Sequence, residues 1–200
     1  MKRSLVALAL TASALLAGCA GRSPLPTLYD FGPPAAGPAS ALPPLPSLAM
    51  ADATGPSWLD SQRMYYRLLY ADAQQSRPYA HNHWNATPLQ LLSQRLKSRI
   101  AQTGVKVLSV TDASASAILL RVEVDDFSQN FDTPSHSSGH ITLRASVFRG
   151  HRLIDQKTFS RGTAAASADA LGGAKALAAS SDAVANDIIG WLAALPPQKE

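Results

Sequence analysis

The chain has 200 residues with 18 Lys and Arg against 14 Asp and Glu, a single cysteine and only 6% aromatic residues. Removing Lys2 and Arg3, which sit in a leader, leaves 16 basic against 14 acidic residues, and no run of five or more Lys/Arg occurs, so nucleic acid is set aside as a partner. One cysteine forms no intramolecular disulfide, so the fold must rest on packing.

Lys2 and Arg3 precede an apolar run from Leu5 to Leu16 interrupted by Thr11 and Ser13. A permanent membrane helix needs about 20 apolar residues, so a run of about a dozen reads as a cleavable signal peptide. Leu15-Leu16-Ala17-Gly18-Cys19 comes next, and it resembles the lipobox of bacterial lipoproteins. The resemblance implies a signal peptide over 1–18, cleavage between Gly18 and Cys19, and lipid on Cys19. Stable anchoring takes more than one acyl chain, since each buried CH₂ contributes roughly 0.8 kcal/mol; bacterial lipoproteins carry three. Ala20 stands where an aspartate commonly retains such proteins at the inner membrane, so the outer membrane, with the domain in the periplasm, is the expected location.

Residues 19–47 form a lipidated tether rich in Pro and Ala, with prolines at 24, 26, 33, 34, 38, 43, 44 and 46. Such composition gives a semi-rigid spacer. Inside it, Leu28-Tyr29-Asp30-Phe31-Gly32 has strand-like residues, and both docking on the domain and plain linker remain open. Residues 48–200 are long enough for one domain with one core.

Leu48 to Ala51 reads as a short strand, and Arg63 to Ala71 alternates with a period of two, Met64, Tyr66, Leu68 and Tyr70 on one side. Thr87, Pro88 and Gln90 compose a capping box with proline at the first helical position, predicting a helix to about Gly104 whose stripe is Leu89, Leu92, Leu96 and Ile100. Val105 to Val110 reads as a strand. Ile118, Leu120, Val122 and Val124 alternate with Leu119, Arg121, Glu123 and Asp125; Ile141 to Val147 and Leu153 to Phe159 continue an antiparallel meander through the turn Arg149-Gly150-His151. A closing helix is predicted between Ser167 and Leu195 from the spacing of Leu171, Ala174, Leu177, Ser181, Val184, Ile188, Trp191 and Leu195, stopped by Pro196-Pro197. The expected fold class is α/β of the α+β kind: a two-layer sandwich with a mixed, largely antiparallel sheet and two main helices on one face, the other face partly open.

Trp58-Leu59-Asp60, Met64-Tyr65-Tyr66-Arg67-Leu68 with Tyr70, Tyr79-Ala80, Trp84, and Phe127-Ser128-Gln129-Asn130-Phe131-Asp132 together resemble the ABC-type transport auxiliary lipoproteins, a family that includes the paraquat-inducible C lipoprotein. The resemblance covers roughly Leu28 to Leu195. It implies a non-catalytic auxiliary subunit working with an ABC permease and ATPase and a mammalian-cell-entry (MCE) protein in lipid transport between membranes, supporting outer-membrane integrity. The Pro/Ala spacer departs from the family pattern, which leaves the tether geometry open. A lipoprotein aiding lipopolysaccharide or outer-membrane assembly is the alternative function, and a tethered hydrolase a third.

No nucleophile elbow, H-E-x-x-H, P-loop or dinucleotide fingerprint occurs in the chain. His81 and His83, with His136 and His140, have spacings that suit zinc, but both pairs read as polar loop residues, so no metal and no cofactor is expected. Aromatic residues crowd into one stretch of the chain, namely Trp58, Tyr65, Tyr66, Tyr70, Tyr79 and Trp84. If Met64, Tyr66 and Tyr70 face inward, Tyr65 faces outward. Trp58, Tyr65, Tyr79 and Trp84 are therefore the candidate partner interface, for self-association or for an MCE protein, in preference to an acyl-chain groove.

Overall fold

A computed structural model describes residues 25–34, 47–112 and 118–195. Cys19 and the rest of the leader lie outside the described residues, as do the closing prolines.

Among the described residues, eight strands form one mixed sheet: β1 Thr27–Tyr29, β2 Leu48–Met50, β3 Arg63–Leu68, β4 Asp72–Trp84, β5 Val107–Leu108, β6 Ile118–Thr133, β7 His136–Arg149 and β8 Arg152–Ala164. The same residues supply two helices, α1 Pro88–Ala101 and α2 Ala170–Ala193, with a 3-10 turn at Ser57–Asp60. The long strand β6 is the spine. Along one side it pairs with β7, which pairs with β8, both antiparallel; along the other it receives β2 near its start and β3 near its end, both parallel. Outside β3 lie β4, antiparallel, and then β1, parallel to β4. The largest pairings are antiparallel, as expected from the meander, and the fold is an open α+β sandwich.

Inward residues of β6 change parity. Leu120, Val122 and Val124 are buried, then Phe127, Gln129 and Phe131. A bulge between Val124 and Asp126 absorbs the extra residue and re-aims the strand. On sequence the central strand ends before residue 127 and residues 133–139 form a Ser/His-rich loop; in the fold these segments are the end of β6, a turn and the start of β7. These stretches hide as strands because their inward positions include Gln129, Ser137 and Gly139, which interrupt the apolar alternation.

The helices cover one face. Leu92, Leu96 and Ile100 of α1 and Val184 and Ile188 of α2 are fully buried above Leu120, Ile141, Leu143 and Val147. The capping box of α1 forms as expected, Thr87 Oγ1 accepting from Gln90 N–H and Gln90 Oε1 accepting from Thr87 N–H. α2 approaches β7 so closely that a Cβ at Gly139 would stand 2.5 Å from Leu177 N. Only glycine fits there. Between the helices, Asp182 ion-pairs with Arg95 at 3.5 Å and with Arg99 at 3.6 Å, both arginines buried. Both arginines also have other acceptors, Arg95 the Phe31 and Gly32 carbonyls and Arg99 the side chains of Gln102 and Asn186, so Asp182 sits in a polar network that joins the two helices.

β4 is the element with no sequence signal. Its 13 residues read Asp-Ala-Gln-Gln-Ser-Arg-Pro-Tyr-Ala-His-Asn-His-Trp, and most are exposed. An outlying strand buries neither face fully, so it need not alternate. Two smaller expectations also change: β3 stops at Leu68, which leaves Tyr70 48% exposed in the following turn, and Leu171, at the start of α2, is 44% exposed rather than part of the buried stripe.

Candidate functional site

The aromatic residues of the wing β1, β3 and β4 divide into three groups. Trp58, carried by the 3-10 turn, stands edge-on to Tyr65 with ring centroids 5.4 Å apart, both half-buried. Tyr66 projects to the other face of β3, where it meets Tyr79 at 4.7 Å and Phe131 at 5.7 Å. Trp84 is 1% exposed and packs with Phe31 at 5.7 Å and Phe127 at 5.8 Å. Trp84 is therefore core and not surface. It is the last residue of β4, separated by three residues from the start of α1 at Pro88, and its indole is turned into the core.

Tyr79 is fixed from within. Its phenol donates to Gln129 Oε1 at 2.9 Å, and Gln129 Nε2 donates to Ser137 Oγ at 2.8 Å and to the Asp169 carbonyl at 3.1 Å. Burial, and next the neighbouring Tyr66, push the Tyr79 phenol well above its ordinary value, so it stays a donor. Gln129 is 1% exposed and fits against Gly173, where a Cβ would stand 2.0 Å from Oε1. One amide thus ties the wing to the first turn of α2. A polar residue at the inward position between Phe127 and Phe131 is the signal that the sequence offers for it.

The segment Leu28–Gly32, open between docking and linker on sequence, docks. Thr27, Leu28 and Tyr29 pair with Asn82, His83 and Trp84, and Asn85 N–H donates to the Tyr29 carbonyl at 2.8 Å. Phe31 enters the aromatic cluster beneath Arg95, whose guanidinium carbon lies 5.7 Å from the ring centroid. Arg95 Nη2 donates to the Phe31 carbonyl and, at 2.8 Å, to the Gly32 carbonyl. Asp30 closes the strap by accepting from Gly32 N–H at 2.7 Å and from Asn85 Nδ2 at 3.2 Å. Between strap and α1 lies an open cleft of about 410 Å³ whose walls include Asp30, Asn85, Gln94 and Arg95. Phe31, Pro34 and Leu91 line it as well, so its wall is mixed polar and apolar.

On the face without helices, Thr142, Arg144 and Ser146 of β7 and Gln156, Thr158 and Ser160 of β8 form a polar array. Thr142 and Ser160 hydroxyls lie 2.9 Å apart, Gln156 donates to Ser146 at 2.8 Å, and Arg144 pairs with Glu123. Ser128, fully buried, donates toward Asp126 and Asn130, and Arg67 lies 3.9 Å from Asp126. His81 and His83 are in β4 and His136 and His140 in β7, all strand residues where loops were expected. β3 and β6 separate the two pairs, about 14 Å at three strand spacings, so they do not converge on one ion.

The architecture defines the class: an α+β sandwich with an open polar sheet face, an aromatic wing and an N-terminal strap. Residues 29–189 match the model of the family described as the ABC-type transport auxiliary lipoprotein component, and the chain belongs to that family. It is a membrane-anchored envelope lipoprotein by that membership, and no described helix is long and apolar enough to cross a membrane. Among solved structures, one similar protein is from Xanthomonas campestris, with 20% identity, a TM-score of 0.66, and coverage of 82% of this chain and 90% of that one. An uncharacterized protein matches at 17% identity and a TM-score of 0.67, covering 84% and 99%. A hypothetical protein from Chlamydia trachomatis matches at 10% identity and a TM-score of 0.50, covering 76% and 98%. These likenesses concern the fold. No curated protein matches the chain.

Proposed function

We propose that this lipoprotein is a non-catalytic auxiliary subunit of an ABC transporter of the MCE type that moves lipid between the two membranes, anchored by Cys19 in the outer membrane. The family match over residues 29–189 carries the reading. Ala20 after the lipidated cysteine favours the outer membrane. An outer-membrane subunit reaches an inner-membrane ATPase only through a protein that crosses the periplasm, and an MCE subunit is the partner that the family resemblance supplies.

The domain acts by contact, with itself and with the MCE assembly. Trp58 and Tyr65 form the surface aromatic pair that suits such contact, since large rigid rings bury much area at little entropic cost. Tyr79, half-buried with its hydroxyl held by Gln129, contributes beside them. Photocrosslinking in cells from positions 58 and 65, with mass spectrometry of the captured chains and the native mass of the soluble domain, tests the reading. Capture of an MCE protein or of a second copy is the expected result. Capture of neither, with a monomeric mass, overturns it and moves weight to an outer-membrane assembly factor.

A further inference from the structure

The strap changes what the tether can do. Leu25 lies only six residues after Cys19. Even fully extended, six residues span roughly 20 Å. The β8 edge lies five strand spacings from β1, about 24 Å across the sheet. A lipid on Cys19 therefore keeps Leu25, and with it the β1 edge, within roughly 20 Å of the membrane.

That edge has the side chains for a lipid surface. Leu25 is 91% and Leu28 60% exposed, the two highest values among the described large hydrophobic residues. Leu28 stands opposite His83 in the register and His83 stands opposite Arg63, so the three side chains form a row across one face of β1, β4 and β3. Arg63 is exposed, and so is His81, two residues from His83 on the same face. The nearby carboxylate of Asp30 is turned to the strap, where Gly32 N–H and Asn85 Nδ2 occupy it. Leucines flanked by a guanidinium and an imidazole match the boundary between acyl chains and phosphate headgroups.

We propose that the β1 edge is a membrane-contact surface, with Leu25 and Leu28 in the lipid interface and Arg63 and His81 toward headgroup phosphates. This rests on Cys19 being the lipid anchor. The domain then lies edge-on against its membrane, and the β8 edge points away. The Pro/Ala-rich residues after the strap connect β1 to β2 and lend no distance from the bilayer.

The test uses the full lipidated chain in vesicles of phosphatidylethanolamine and phosphatidylglycerol, some carrying nitroxide-labelled acyl chains. Leu28→Cys and, on the opposite edge, Leu153→Cys each receive an environment-sensitive fluorophore. The probe at 28 should shift to the blue and be quenched severalfold more than the probe at 153. Equal quenching in vesicle-bound protein overturns the surface and leaves the anchor standing. Protein that carries no lipid on Cys19 by mass spectrometry and does not float with vesicles removes both.

Discussion

The β6–β7–β8 half of the sheet and the β1–β3–β4 wing are parts of one layer, yet they are built on different terms. In the first, α2 lies on the strands and buries an unbroken set, Ile141, Leu143, Ala145 and Val147 against Val184, Ile188 and Leu177. In the wing, stability comes from aromatic contacts, the Gln129 amide and a strap pinned by Arg95. The half under α2 makes the fold stand; the half with half-buried rings and an exposed edge is free to meet something else.

The largest test of that difference is Ile188→Ala. Ile188 is fully buried between α2 and the sheet, and truncating such a side chain removes its transfer free energy and leaves a cavity, a loss of about 2–5 kcal/mol. Denaturant unfolding of the soluble domain measures it. A midpoint equal to wild type would mean that α2 is not what holds the β6–β7–β8 half.

The two halves are also unequally legible in the sequence. Alternation of Ile118 to Val124 and of Ile141 to Val147, the capping box at Thr87 and the long periodic helix announce the packed half, because burying one face forces a period on the residues. Most of β4 reads as loop, since Gln, Ser, His and Asn on a strand exposed on both sides carry no period. Trp84 shows the same limit from the other direction. Its aromatic character marks it as important, but burial beneath α1 depends on Phe31 and Phe127, which lie 53 and 43 positions away in sequence and come together only in the fold.

A smaller effect is expected where the halves meet, at the start of α2. Asp169 caps the helix by accepting from Gly172 N–H at 2.8 Å, and Ser167 donates to the same oxygen at 2.7 Å. The backbone bond from Gly172, then the hydroxyl bond from Ser167, hold its carboxyl below the ordinary 3.8. A depressed carboxylate contributes stability that is present above its unfolded value and lost as pH falls through its folded value. Asp169→Ala should cost about 1 kcal/mol at neutral pH, the usual worth of an N-cap, and the gap between variant and wild type should close below pH 3.8. Urea melts at neutral and acidic pH decide it; a gap that persists unchanged through the acid range would show that the carboxylate charge is not the source.

The smallest effect is expected in the turn that ends β3. A period of two carried from Met64 through Tyr66 would put Tyr70 on the inner side, but the strand stops at Leu68 and the reversal into β4 turns the next residues outward. Leu69 is 40% and Tyr70 48% exposed, while Leu69 N–H still donates to the Phe131 carbonyl at 2.9 Å, so the backbone of the turn is held even though its side chains are not. A substitution that touches only those side chains should leave the fold alone. Tyr70→Ser is expected to change stability by no more than about 0.5 kcal/mol, as surface replacements do. The same denaturation series measures it beside Ile188→Ala. A loss of several kcal/mol at Tyr70 would place that ring in a packed site and erase the contrast between the wing and the helix-covered half.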